Sequence, residues 1–93
     1  RLPGALAYWR TPSGPEVDFV WHGGDRVVAI EVKATTRWRN QDSAGLNALL
    51  EGLPGATCFG VHLGSEKRRH GKIDLLPLPT FLERLYAGRV LAP

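Results

Sequence analysis

Asp18, Glu31 and Lys33 are the residues of this chain best suited to chemistry. Two carboxylates that face each other repel unless a cation lies between them. A hard divalent ion such as Mg²⁺ or Mn²⁺ takes oxygen ligands of this kind, with water and substrate phosphate filling its shell. Two carboxylates and a lysine on one face are the core of a site for metal-dependent phosphodiester hydrolysis.

The elements that must bring them together are two strands and a turn. Glu16-Val17-Asp18-Phe19-Val20 and Val28-Ala29-Ile30-Glu31-Val32-Lys33 alternate apolar residues with others, as strands do. The turn signal between them is His22-Gly23-Gly24-Asp25-Arg26, so the pair reads as a hairpin. With Gly24-Asp25 as a two-residue turn, Gly23 pairs with Arg26. That register sets Asp18 opposite Glu31 and Glu16 opposite Lys33. Opposed side chains lie roughly 4.5–5.5 Å apart at Cβ. An odd-numbered loop would send the two carboxylates to opposite faces, so the site depends on register. Strict alternation puts Glu16, Asp18 and Val20 on one face, and Val17, Phe19 and Trp21 on the other. Glu31 and Lys33 alone could equally be a solvated pair on a half-exposed strand. The Asp in the preceding strand turns the pattern toward a site.

Glu16-Val17-Asp18-Phe19-Val20 followed by Val28-Ala29-Ile30-Glu31-Val32-Lys33-Ala34 resembles the PD-(D/E)XK restriction-endonuclease-like superfamily. More closely, the chain resembles the uncharacterised domain found C-terminal to AAA-type ATPase modules in many bacterial and archaeal proteins. Further matching segments are Tyr8-Trp9-Arg10-Thr11-Pro12-Ser13-Gly14, Gly45-Leu46-Asn47-Ala48-Leu49 and Leu76-Pro77-Leu78-Pro79-Thr80-Phe81-Leu82. The resemblance implies a mixed sheet with flanking helices and a Mg²⁺-dependent deoxyribonuclease. It makes Asp18 and Glu31 the metal ligands and places Lys33 near the attacking water. Glu16 would support Lys33 from the outer shell, and Gln41 would stand near the site. It also implies that residues 1–93 are a single nuclease-like domain, the C-terminal piece of a longer ATPase. Val17 stands where the superfamily has its name-giving Pro. The acidic residue that many members carry on a helix before the first strand has no counterpart after Arg1.

Composition is ordinary for a globular protein, with 43% hydrophobic and 23% charged residues. There is no Met, even at position 1, which reads as a piece of a longer protein. Cys58 is alone, so neither an internal disulfide nor a cysteine zinc site is expected, and a buried inert thiol in a reducing cytoplasm fits. No apolar run reaches the roughly 18–20 residues of a membrane span. The net charge of +3 leans toward anionic partners.

The expected order is βββαββα. A first strand spans 5–10 and ends at the turn Thr11-Pro12-Ser13-Gly14-Pro15. After the hairpin, 35–41 is a polar loop. Asp42 or Ser43 caps a helix running to about Gly52, with Leu46, Leu49, Leu50 and Leu53 as its apolar stripe. Strands follow at 57–63 and 73–78 around a charged turn, and Pro79 or Thr80 opens a last helix closed by Gly88.

Two basic segments are candidates for nucleic-acid contact. Lys67, Arg68, Arg69 and Lys72 could bind phosphates or form a solvated hairpin tip. Arg37-Trp38-Arg39 could stack on a base and grip the backbone; equally, Trp38 could pack against a neighbouring module. His22, His62 and His70 lack metal-ligand spacing and read as structural. Gly71-Lys72 is no phosphate loop, since Glu66 replaces its Gly and Ile73 its Ser or Thr, so no nucleotide is expected to bind that way. The main alternative to a nuclease is an inactive module of the same fold that binds DNA or a protein. A third is an assembly role for Trp9, Trp21 and Trp38.

Overall fold

The computed structural model describes the backbone of residues 5–10 and all of residues 16–91. The Thr11–Pro15 turn and the side chain of Trp9 lie outside the described residues.

Six strands form one mixed sheet: β1 (Ala5–Arg10), β2 (Glu16–Gly23), β3 (Arg26–Val32), β4 (Thr57–His62), β5 (Arg68–His70) and β6 (Ile73–Pro77), in the spatial order β1-β2-β3-β4-β6-β5. The central three, β3, β4 and β6, are parallel, and the outer strands run antiparallel to their neighbours. The helices are α1 (Ala44–Gly52), preceded by a 3-10 turn Asn40–Ser43, and α2 (Leu78–Tyr86). The α/β class and the expected order are observed with one addition. β5 lies inside the segment read as a charged turn, because its residues Arg68-Arg69-His70 carry no apolar alternation.

The parallel strands are buried on both faces, as parallel sheets require. Val17, Val20, Ala29, Cys58, Ile73 and Leu75 pack under Leu46 and Leu49 of α1. Trp21, Val28, Ile30, Phe59, Val61 and Leu76 pack on the other side with Phe81 of α2 and Val90. Leu53 leaves the expected stripe: it follows the last helical residue and is 40% exposed. At the end of α2, Arg89 N–H donates to Arg84 O and Gly88 N–H to Leu85 O, with Gly88 at φ +74°. This is a Schellman closure, which favours glycine for its positive φ.

The β2–β3 turn holds the register expected of it. Gly23 pairs with Arg26 and Phe19 with Ile30, with Gly24 at φ +60° as the first turn residue. The helix α1 approaches β2 closely enough that a Cβ on Gly45 would stand 2.0 Å from the backbone oxygen of Glu16. Gly45→Ala is therefore expected to destabilise the fold by about 1–3 kcal/mol. Gly52→Ala, with open space around it, should be neutral or stabilise by up to about 1 kcal/mol. Urea unfolding of the two variants checks the contrast.

Candidate active site

Asp18 and Glu31 stand where the β2–β3 backbone ladder gives out. Phe19 and Ile30 are its last pair, which makes Asp18 and Glu31 next in register. Side chains continue the pairing there. The Asp18 N–H donates to Glu31 Oε1 at 3.1 Å, and the Val32 N–H donates to Asp18 Oδ2 at 3.0 Å. Each carboxylate thus accepts one backbone N–H of the opposite strand just past the last pair.

A β-bulge sets this up. Ala7 pairs with Val20 and Trp9 with Val17, so Asp18 and Phe19 together oppose one residue of β1. A bulge breaks alternation and re-aims side chains. The expectation that Val17 shares a face with Phe19 and Trp21 is corrected here. Val17 is fully buried in the cluster that contains Val20 and Ala29, whereas Phe19 is 42% exposed. Nothing in Glu16-Val17-Asp18-Phe19 signals the extra residue.

Glu31 is buried. Across β4 it faces Gly60, and the Trp38 ring lies so close over Gly60 that an added Cβ would come within 2.8 Å of it. The indole therefore covers the sheet at the residue next to the carboxylate. Burial, first, and then the hydrogen bond and charge of Asp18 push the Glu31 pKa up from 4.5 to about 6. The Asp18 N–H and the Lys33 ammonium act in the opposite direction. Lys33 Nζ lies 3.4 Å from Glu31 Oε2 with its side chain 42% exposed, so it bridges the buried carboxylate and solvent.

These two carboxylates could hold a hard cation. Asp18 Oδ1 takes up no N–H among the described residues, and both groups offer oxygen donors only. Mg²⁺ and Mn²⁺ are held by one or two carboxylates and complete their shell with water and phosphate. No cluster of three or more His, Cys, Asp or Glu suited to a metal occurs among the described residues.

The remaining expected site residues separate. Glu16 is half-buried at the start of β2, and its backbone oxygen receives Gly45 of α1. Gln41 is exposed in the 3-10 turn. Arg37 and Arg39 are exposed on the loop after β3. Trp38 is the clear correction: it is 2% exposed, its Nε1–H donates to Ser43 Oγ at 2.8 Å, and it packs in this chain's own core. Its ring is available neither to a base nor to a neighbouring module, and Gly60 is what makes room for it. Trp21 is buried too, so the assembly role loses both described tryptophans. Ser43 occupies the N-cap position of α1 but spends its hydroxyl on Trp38.

The basic cluster is divided. Lys67 is exposed, and the Arg68 guanidinium donates to the Trp38 carbonyl. Arg69 pairs with Asp74 at 2.7 Å. Lys72 donates to Pro54 O at 3.0 Å, at the N-terminal end of the parallel strands and away from Glu31. Cys58 is buried, and burial pushes its thiol up to about 11, as expected of an inert core cysteine. No helix among the described residues is long and apolar enough to cross a membrane.

Fold and site together describe a mixed α/β domain with an acidic pair at the C-terminal end of a central strand. The chain belongs to the family described as Domain of unknown function (DUF4143), whose model matches residues 2–81. No curated protein and no solved structure matches it.

The raised pKa makes a prediction about stability. A carboxyl held above its unfolded value contributes stability below about pH 4.5 that is lost as the pH rises through about 6. Without metal, wild type should lose roughly 2 kcal/mol relative to Glu31→Gln between pH 4 and pH 7.5. Urea unfolding of both proteins at the two pH values measures it.

Proposed function

We propose that this domain is a metal-dependent phosphodiester hydrolase of the restriction-endonuclease-like kind, acting on DNA as part of a longer ATP-binding protein. The observation that carries this reading is the opposed Asp18 and Glu31 pair with Lys33 Nζ at 3.4 Å. The pair lies at the C-terminal end of β3, the end at which open α/β sheets bind their ligands.

Asp18 and Glu31 would hold Mg²⁺ or Mn²⁺. Such an ion supplies Lewis acidity at the phosphodiester and a bound water of lowered pKa. The chain's own residues do the rest. Val32 N–H fixes the Asp18 carboxylate and Asp18 N–H fixes Glu31, so neither rotates on binding. Lys33, whose side chain is 42% exposed, reaches water or phosphate and stabilises negative charge as it develops. The burial of Glu31 strengthens the charge interactions there.

A second reading draws on the same hydrogen bonds. Both carboxylates already cap backbone N–H groups, which favours a non-catalytic module in which they fasten the open end of the hairpin.

Calorimetric titration with Mn²⁺ separates the two. The hydrolase reading expects wild type to bind and Glu31→Ala to bind at least about tenfold more weakly. It expects affinity to fall below about pH 6, where protons compete for Glu31. Lys33→Met should bind Mn²⁺ yet cleave single-stranded or plasmid DNA roughly a hundredfold more slowly. Wild type that binds no Mn²⁺ supports the module reading.

A further inference from the structure

A recess opens on the same face and the same end of the sheet, one strand from the carboxylates. It has a volume of about 290 Å³ and is lined by Thr36, Arg37, Trp38, His62, Glu66 and Arg68, among others. Val32 pairs with Val61 and the Lys33 N–H donates to Val61 O at 2.9 Å, so His62 is the residue of β4 beside Lys33. Asp18, Glu31 and Lys33 do not line the recess.

Its donors are prearranged. His62 is 3% exposed, and its Nδ1 accepts the Gly64 N–H at 3.0 Å. A neutral ring so bonded carries its proton on Nε2. Nε2 has no hydrogen-bond partner among the described residues, yet it is not sealed from solvent. It is thus a donor open to the recess on an otherwise buried ring. Arg68 anchors itself through one nitrogen on the Trp38 carbonyl, which leaves the rest of a half-buried guanidinium for a ligand. The Arg37 guanidinium is exposed and unpaired among the described residues. These two charges outweigh the single carboxylate, Glu66. The walls are tied together: Leu63 N–H donates to Thr35 O at 2.7 Å, and a Cβ on Gly64 would lie 2.1 Å from Thr36 O. Planar guanidinium groups and an N–H donor converging on one recess match a phosphate.

We propose that this recess binds a phosphate of the nucleic-acid strand, neighbouring the phosphate presented to the carboxylate pair, with His62 Nε2, Arg68 and Arg37 as its donors. This rests on the phosphodiester reading for its choice of ligand. Because phosphate contacts position a strand without reading its bases, the recess would set where the strand lies relative to Lys33 and leave sequence preference unaffected.

The test is an NMR titration of the metal-free chain in EDTA at constant ionic strength. The probes are the oligonucleotide dT8 and, separately, inorganic phosphate. The reporters are the Gly64 amide and the Trp38 indole N–H. Both probes are expected to move both resonances saturably. Arg37→Glu, an exposed change whose fold is checked by the same spectrum, should weaken both by about tenfold or more. With metal removed by EDTA the readout does not depend on cation binding by the carboxylates, so failure of the metal site and failure of the recess read out separately. The proposal is overturned if dT8 leaves the reporters in place. It is overturned equally if inorganic phosphate does not reproduce the dT8 shifts, or if Arg37→Glu binds as wild type does.

Discussion

Glu31 is a buried ionisable side chain near the end of a central strand, and much of the surrounding structure answers that placement. A buried carboxylate is tolerated only with donors or a cation close at hand. Here the donors are the Asp18 N–H and the Lys33 ammonium. The Asp18 N–H reaches Glu31 beside the bulge, just past the last β2–β3 pair. Asp18 in turn takes the Val32 N–H. The acidic pair and the end of the ladder are one device: each carboxylate holds a backbone N–H of the opposite strand.

That device makes demands on its neighbours. The Trp38 ring lies over the sheet at the residue next to Glu31 only because Gly60 has no side chain, and the ring is held there by Ser43 and from behind by Leu46 and Leu49. α1 can lie low enough to supply those leucines because Gly45 meets the Glu16 backbone without a Cβ. The loop carrying Trp38 is tied to the end of β4 through Leu63 and Thr35, and its carbonyl receives Arg68 from β5. The acidic pair and the recess beside it thus share one wall, and a change in the position of Trp38 is felt in both.

The parts of this arrangement that follow from local rules could be read in the chain itself. Gly24-Asp25 set the turn, the turn set the register, and the register set Asp18 against Glu31. The helical spacing of Leu46 and Leu49 named the buried side of α1, and Gly88 its counterpart's end. What could not be read depends on partners distant in sequence. The bulge at Asp18 arises from pairing with β1. The burial of Trp38 requires Gly60 from another strand, so Arg37-Trp38-Arg39 resembles an exposed basic loop until the sheet is assembled. β5 has no apolar alternation and exists because β6 offers it an edge. Ser43 looks like a plain helix cap until Trp38 claims its hydroxyl.

On the hydrolase reading, the opposed carboxylates form a cation site and not merely a hydrogen-bonded fastening. Crystals soaked in Mn²⁺ and measured at a wavelength where manganese scatters anomalously test it most directly. An anomalous peak is expected between Asp18 and Glu31, with Lys33 turned away from Glu31 Oε2. A soaked crystal with no peak there, and with the Glu31–Lys33 and Asp18–Val32 contacts unchanged, would contradict it.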